Sequence, residues 1–146
     1  MHCPVVSAIN GSAIGAGLCL ALACDLKIAA KDAKLGVTFS ALGFHPGMGA
    51  SHYLPKLVGN QLSTKMLLLG DLITGEEAKQ HGLVLDAVES DKVMPVALAL
   101  ARRIADQSVV SVQTTIRTLR NQQDVDLQQN LWREGKNRNV VVCVLI

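Results

Sequence analysis

Near the start of the chain, two short aliphatic runs flank a glycine-rich turn and an apolar segment. Residues 4–9 and 26–30 have the length and the β-branched content of strands. Residues 18–23, which lie between them, are almost wholly apolar, and this predicts a short helix that is buried. The order strand, turn, helix, strand is typical of the α/β fold class.

From residue 50 onward, the apolar residues recur at the spacing of amphipathic helices. The pattern predicts a helix over residues 50–69, with Leu62, Met66 and Leu69 on one apolar face. The sequence around Gly59 is expected to break this helix.

Helix signals continue after residue 70. Thr74 and Glu77 fit a capping box, which predicts a short helix that ends at Gly82. Ser90 is expected to cap the next helix, which carries an apolar stripe. The other predicted elements are strands over residues 35–38 and 83–88, and helices over residues 109–121 and from about residue 125.

Composition limits the classes of function. Hydrophobic residues make up 49% of the 146-residue chain and charged residues 18%, which indicates a real core and surface for an oligomer interface. The net charge is only +2 and aromatic residues are 3%, so no nucleic-acid partner is expected. No apolar run reaches the roughly 18 residues of a membrane-spanning helix, so no membrane partner is expected.

The four cysteines, Cys3, Cys19, Cys24 and Cys143, form no Cys-x-x-Cys pair. They are interpreted as reduced residues of an intracellular protein, mitochondrial or cytoplasmic, and not as disulfides or metal ligands. No signal peptide is expected, because the chain starts directly in a strand.

The turn after the first strand contains Gly11, Gly15 and Gly17, which let the backbone approach another group closely. The first N–H groups of the following helix have no intrahelical partner and carry the positive end of its dipole, so they suit an oxyanion. The alternative is that the glycines only let helix and strand pack tightly. The spacing differs from Gly-x-Gly-x-x-Gly, so no dinucleotide site is expected.

Several short sequences, in the same order, resemble the C-terminal half of a crotonase (enoyl-CoA hydratase/isomerase) domain. They are Pro4-Val-Val-Ser-Ala-Ile-Asn-Gly, Ala-Cys-Asp25-Leu, Leu35-Gly-Val, Leu42-Gly-Phe-His-Pro-Gly, Leu54-Pro-Lys-Leu-Val-Gly59, Leu69-Gly-Asp-Leu-Ile-Thr-Gly-Glu-Glu-Ala78 and His81-Gly-Leu-Val84. The resemblance implies part of the α/β crotonase-like (ClpP/crotonase) fold. Residues 1–89 are expected to form the C-terminal part of the core, and residues 90–146 a truncated helical region that builds homo-trimers or hexamers.

The resemblance also implies the chemistry. In this family the thioester carbonyl of an acyl-CoA lies between two backbone N–H groups, which stabilise an enolate. One of these groups falls on Ala16, and its partner belongs to the N-terminal half of such a domain. Coenzyme A enters as part of the substrate, and no separate cofactor is implied.

The two glutamates that hydratases of the family use fall on Cys19 and Phe39, so ordinary two-glutamate hydration is not expected. His45, in a glycine-rich loop, is the candidate acid or base in their place, because histidine titrates near neutral pH. The alternative is that His45 only hydrogen-bonds to the loop backbone. Cys19 is not expected to be a nucleophile, since an apolar site raises the pKa of a thiol.

Other residues are expected to touch the substrate or to have structural roles. The candidate substrate-binding residues are Ile14, Gly15, Cys19, Phe39, Leu42 and Gly43. The structural interpretations are His52 in a helix, Asp25 at a strand start, Arg117 and Arg120 on solvated helix faces, and residues 140–146 as a truncated end or an edge strand. Besides a hydratase- or isomerase-like enzyme, two functions stay open: a non-catalytic acyl-CoA-binding or structural subunit, and an inactive fragment.

Overall fold

Strands and helices alternate up to residue 88, and helices follow. The structure is a computed structural model that describes residues 3–124 and 126–136. Its strands are β1 (Val6–Ile9), β2 (Ala13–Ile14), β3 (Leu26–Ala30), β4 (Lys34–Gly36), β5 (Leu72–Thr74) and β6 (Asp86–Val88). Its α-helices are α1 (Ala16–Leu22), α2 (Ala50–Leu69), α3 (Gly75–Gln80), α4 (Val93–Ala105), α5 (Val109–Gln123) and α6 (Leu127–Lys136), and 3₁₀ turns lie at Ser40–Leu42 and Ser90–Lys92.

Two three-stranded sheets form the centre of the fold. In the first, β3 lies between β1 and β6 and runs parallel to both, so that Ala8 pairs with Ile28 and Ala30 with Val88. In the second, β4 lies between β2, which is parallel to it, and β5, which is antiparallel. Parallel strands that are joined through helices form the α/β arrangement that the sequence predicts.

Only one side of α1 faces the core. Leu18 and Cys19 are buried, whereas Leu20 is 62% exposed. The prediction that this apolar helix is buried throughout is therefore wrong for its outer side. A helix that packs against neighbours on one side buries only the stripe that faces them, whatever the composition of the other side.

The helix α2 has the predicted break, because Gly59 adopts φ 74° and ψ 169° inside it. Met66 is fully buried, but Leu69 is 65% exposed, so its predicted place on the same buried face is wrong. After the break, the buried stripe runs through Ser63, Met66 and the half-buried Gly70. Leu69 is one residue before that stripe, about 100° away around the helix.

The predicted capping box at the start of α3 is present. The amide of Glu77 donates to Thr74 Oγ1 (3.2 Å), and the amide of Thr74 donates to the Glu77 carboxylate (2.6 Å). Ser90, by contrast, does not cap α4, whose N-cap residue is Lys92. The hydroxyl of Ser90 donates instead to the carbonyl of Asn10 (3.1 Å), so a contact across the fold takes the place of the predicted local one.

Arg120 does not lie on a solvated helix face, as its sequence suggests, but pairs with Asp25. The guanidinium donates twice to this carboxylate, from Nε to Oδ1 (2.9 Å) and from Nη2 to Oδ2 (2.6 Å). The amide of Val5 also donates to Asp25 Oδ2 (2.7 Å), and Arg120 Nη2 donates to the carbonyl of Cys3 (2.9 Å). Asp25 therefore fixes the start of β3, as predicted, and also joins α5 to the chain that leads into β1.

Replacing Arg120 with methionine is expected to lower the free energy of unfolding by about 2 kcal/mol near neutral pH. The loss leaves the Asp25 carboxylate, whose side chain is 9% exposed, without its bidentate partner. We place the loss below the range for fully buried pairs, because the Arg120 side chain is 25% exposed and partly screened. Urea denaturation measures the difference, with the exposed Arg117→Met on the same helix as control. Equal losses in both variants contradict the assignment.

The difference between wild type and Arg120→Met should shrink in acid. Burial alone would raise the pKa of Asp25, but the hydrogen bond and charge of Arg120 and the bond from Val5 together hold the pKa below its ordinary value. A lowered pKa in the folded state stabilises the fold above the ordinary carboxyl pKa of about 3.9. This stabilisation is lost as the pH falls through the folded-state pKa. Unfolding curves at several pH values below about 5 test the trend.

Three further points concern membrane-spanning helices, metal-binding clusters and the C-terminal residues. No helix in the described ranges is long and apolar enough to cross a membrane. The same part of the chain contains no group of three His, Cys, Asp or Glu side chains that could hold a metal ion. Residues 140–146, for which a truncated end or an edge strand is predicted, lie outside the described residues, and so does Cys143.

Candidate functional site

The start of α1 presents a backbone N–H group at Ala16. Gly15 precedes the helix with φ 58° and ψ −119°, a conformation that favours glycine, and its amide donates to the carbonyl of Gly36 (2.8 Å). The first hydrogen bond of the helix runs from the amide of Cys19 to the carbonyl of Gly15 (3.1 Å). The N–H of Ala16 lies before this bond and has no acceptor within α1, and Ala16 is exposed.

A cavity opens beside this helix start. It has a volume of about 360 Å³ and is lined by the end of β1, by the turn to β2, and by Gly17, Leu20 and Cys24. The exposed side of α1 at Gly17 and Leu20 therefore faces this cavity, and Ala16, one residue earlier, is not among its lining residues. Another cavity, of about 300 Å³, lies between Pro4 and the helices α4 and α5, away from this site.

Cys19 is 2% exposed and joins α1 to the glycine-rich loop. Its Sγ lies 3.6 Å from the carbonyl oxygen of Gly47, to which the thiol donates. Burial, with the negative charge of Glu134, raises the pKa of Cys19 to about 11. At neutral pH the side chain is thus a protonated thiol, which is a poor nucleophile, in agreement with the expectation from the sequence.

Phe39, Leu42 and Gly43 form one turn after β4. The carbonyl of Phe39 accepts hydrogen bonds from Leu42 (3.0 Å) and Phe44 (2.9 Å), and the Phe39 side chain packs against the hydrophobic core. Leu42 is 67% exposed, so it does not line a closed pocket within the described residues. Gly43 ends the turn with φ 74°, in the left-handed region.

The strands bring these two groups of predicted residues to one edge. Ile14 pairs with Gly36 at the ends of the parallel strands β2 and β4, so the residues that follow each strand emerge side by side. The bond from Gly15 to Gly36 and the contact of Cys19 with Gly47 hold the two segments together. The predicted site residues thus come from neighbouring segments of the fold.

His45 is exposed in the loop that follows. Its Nδ1 lies 2.7 Å from the carbonyl oxygen of Pro46. A carbonyl can only accept, so Nδ1 carries the proton and Nε2 presents a lone pair when the ring is neutral. The side chain therefore makes the backbone contact of the structural interpretation, and this contact leaves Nε2 able to act as a base.

Glu134 is a buried charged residue that the sequence reading does not single out. It lies on α6 and is 1% exposed, and its carboxylate accepts from the amide of Gly49 (2.9 Å) and from the hydroxyl of Ser51 (2.6 Å). The signal in the sequence is its spacing from Leu127 and Asn130, which places a charge on the inner stripe of the helix.

His52 has a structural position, as predicted. It is 3% exposed, with Nε2 2.7 Å from the carbonyl of Gln123 and Nδ1 3.0 Å from the amide nitrogen of Asn130. Lys56 Nζ also lies 3.0 Å from Nε2, so both nitrogens of the ring have partners. The ring thereby links α2 to the end of α5 and to α6.

Comparisons with known proteins show which proteins this chain resembles. A family model described as Enoyl-CoA hydratase/isomerase matches residues 1–141. The chain is 41% identical over 131 residues to the 2,3-dehydroadipyl-CoA hydratase of Escherichia coli, which covers 90% of this chain and 51% of that protein. It is 38% identical over 112 residues to the crotonyl-CoA hydratase of Syntrophomonas wolfei, which covers 77% of this chain and 43% of that protein.

Solved structures share the fold. The enoyl-CoA hydratase/isomerase of Pseudoalteromonas atlantica superposes with a TM-score of 0.89 at 32% identity, over 93% of this chain and 55% of that one. The predicted crotonase-like fold is therefore confirmed. The chain spans about half the length of the curated relatives that it matches. The family model and these likenesses together establish that the chain belongs to the enoyl-CoA hydratase/isomerase family, within the crotonase superfamily.

Proposed function

We propose that this chain supplies an oxyanion-stabilising site for acyl-CoA thioesters. The observation that carries the proposal is the amide of Ala16, an exposed residue that begins α1 and whose N–H has no acceptor within that helix. Such an amide can donate to the thioester oxygen as negative charge develops on it, and one donor of this kind contributes about 3 kcal/mol. The two curated relatives described above are named as hydratases of CoA derivatives.

The proposed reaction differs from two-glutamate hydration. The protonated thiol of Cys19 and the ring of Phe39 cannot exchange protons as carboxylates do at neutral pH. We propose His45 Nε2 as the base that removes a proton from the carbon next to the thioester, leaving the electrons in the enolate. The bond from Nδ1 to Pro46 supports this role, because it orients the ring and sets the tautomer.

The substrate is proposed to be the only ligand, with coenzyme A as part of it. Ile14, Gly15, Phe39, Leu42 and Gly43 are proposed to line its path, whereas Cys19, which was expected there, is only 2% exposed and is left out. Assembly as a homo-trimer or hexamer is also proposed. Exposed apolar side chains at Leu42 (67%), Leu68 (70%) and Leu69 (65%) support an interface, since surfaces of this kind are often covered by partners.

A second candidate is a subunit that binds acyl-CoA without turnover. It is favoured by the resemblance, which implies that Cys19 and Phe39 replace both family carboxylates and that the amide of Ala16 is kept. One experiment distinguishes the two candidate functions. A panel of CoA thioesters, saturated and unsaturated, is tested by calorimetry for binding and by absorbance for turnover, with the protein at its natural length. Binding without turnover supports the second candidate and contradicts the first.

Replacing His45 with alanine is expected to lower the turnover of the best thioester by about 100-fold, because the reaction loses its base. Steady-state kinetics measures the loss, and His81→Ala, at another exposed histidine, serves as control and should retain the wild-type rate. If His45→Ala turns over as fast as wild type, His45 is not the base. Wild-type protein that neither binds nor converts any thioester contradicts the proposed function as a whole.

A further inference from the structure

The carboxylate of Glu134 satisfies three donors at the start of α2. Oε2 accepts from the amide of Gly49 (2.9 Å), and Oε1 accepts from the amide (3.3 Å) and the hydroxyl (2.6 Å) of Ser51. Gly49 is the N-cap residue of α2 and offers no side chain of its own for capping. A carboxylate from a helix 85 positions away in sequence therefore takes the place of the missing local cap.

The turn that Glu134 contacts has an unusual backbone. Met48 and Gly49 both have positive φ, 56° and 78°. For Met48 this conformation is unfavourable, and it persists only where the surroundings hold it. The bond from the Gly49 amide to a buried charge is such a constraint, and it acts directly on the residue that follows Met48.

The same turn continues into the candidate site. Gly47, which precedes Met48, accepts the hydrogen bond from the thiol of Cys19 on α1. His45 lies two residues earlier, and its ring is held by Pro46 within the same loop. Residues 45–49 are thus held at one end by Glu134 and in the middle by α1, the helix that begins at Ala16.

We propose that Glu134 is a positioning residue for residues 45–49, through which α6 sets the place of His45. The part of the inference that concerns the catalytic role of His45 rests on the proposed function. The part that concerns how α6 holds the loop rests only on the hydrogen bonds described above.

The carboxylate matters here because of its symmetry. Both oxygens of Glu134 accept, one from Gly49 and the other from Ser51. A glutamine has the same shape but one oxygen and one NH₂ group, so its NH₂ end must face a backbone N–H, that of Gly49 or that of Ser51, which then has no acceptor there. Glu134→Gln therefore disturbs the turn without opening a cavity, and it is the sharpest variant for a test.

The matched control is Glu77→Gln. Glu77 also accepts hydrogen bonds at a helix start, from the amide and hydroxyl of Thr74, but at α3 and on the surface. It carries the same change of chemistry and makes no contact in the loop of residues 45–49. An effect that follows from losing any capping carboxylate should appear in both variants. An effect on the loop of residues 45–49 should appear only in Glu134→Gln.

Hydrogen–deuterium exchange of the protein at its natural length gives the first readout. In Glu134→Gln the amides of Gly49 and Ser51 should exchange at least tenfold faster, while those of β3 keep their wild-type rates. In Glu77→Gln the faster exchange should be confined to α3 and the residues next to it. Unchanged exchange at Gly49 and Ser51 overturns the inference, and so does an increase that spreads evenly over the first sheet.

Steady-state kinetics on the best CoA thioester gives the second readout. Glu134→Gln should lower kcat about tenfold with KM within twofold of wild type, while Glu77→Gln should leave both unchanged. A KM that rises as much as kcat falls, or an unchanged kcat, overturns the positioning role. If wild type converts no thioester, the proposed function fails, and the exchange measurement alone then decides whether Glu134 holds the loop.

Discussion

Replacing Ala16 with proline is expected to lower the turnover of acyl-CoA thioesters by about 10²–10³-fold, because proline has no backbone N–H to donate to the developing oxyanion. The expected loss matches the cost of removing one donor from an oxyanion hole. Turnover is measured at saturating and at limiting substrate. A donor that acts mainly in the transition state should lower kcat more than it raises KM.

The fold should survive this change, which makes the test informative. Position 16 is the first residue of α1, where proline is favoured because its missing N–H leaves no helical bond unmade. Gly15 has φ 58° and ψ −119°, the mirror image of a polyproline conformation, and glycine before proline adopts it without a Cβ clash. Circular dichroism should therefore match wild type.

Ala16→Gly is the matched control for this prediction. It alters the side chain at the same position and keeps the N–H, so turnover should stay within about threefold of wild type if the backbone donor matters. A folded Ala16→Pro protein with wild-type turnover contradicts the assignment of the oxyanion donor. Equal losses in the two variants show that the side chain, and not the amide, is responsible.

Replacing Gly75 with alanine is expected to lower the free energy of unfolding by about 4 kcal/mol or more, a large part of the stability of an ordinary domain. A Cβ at this position would lie 1.9 Å from the carbonyl oxygen of Ala30 and 2.9 Å from its carbon. Both atoms belong to the backbone of β3, the central strand, and Ala30 pairs with Val88 on β6. The strand cannot move aside without losing this pairing.

Gly11→Ala is the control for the effect of glycine as such. A Cβ at Gly11 would meet no atom within 4 Å, so the stability should change by less than about 0.5 kcal/mol. Urea unfolding monitored by circular dichroism compares the variants. If Gly75→Ala unfolds at the same urea concentration as Gly11→Ala, the close approach of α3 to β3 is not what requires glycine.

The features that the sequence predicts correctly are those whose causes lie within a few residues. The capping box needs only Thr74 and Glu77, three residues apart, and the break in α2 needs only the freedom of Gly59. The turn before α1 is also predicted from nearby residues. The glycines at and around position 15 indicate a backbone conformation that other residues rarely adopt, and Gly15 has φ 58°. Local chemistry decides these features whatever the rest of the chain does.

The features that the sequence does not reveal depend on distant partners. Ser90 has the side chain of a good cap, but its hydroxyl is taken by Asn10, 80 positions away. Arg120 reads as a surface residue, because nothing near it in sequence indicates Asp25. In the candidate site, resemblance points to Ala16 and His45, whereas the role of Glu134 depends on the fold, which brings α6 to the loop.

The pairing of Asp25 with Arg120 has a consequence for how the protein is made. The two residues are 95 positions apart, so a ribosome that adds roughly 5–20 residues per second completes Arg120 about 5–20 s after Asp25. During this interval the nascent βαβ unit around α1 lacks the ion pair between Asp25 and Arg120 that joins it to α5. Until Arg120 is made, the βαβ unit waits for a contact with a distant part of the chain, and such non-local contacts form slowly. This is the situation in which chaperones are most useful to a growing chain.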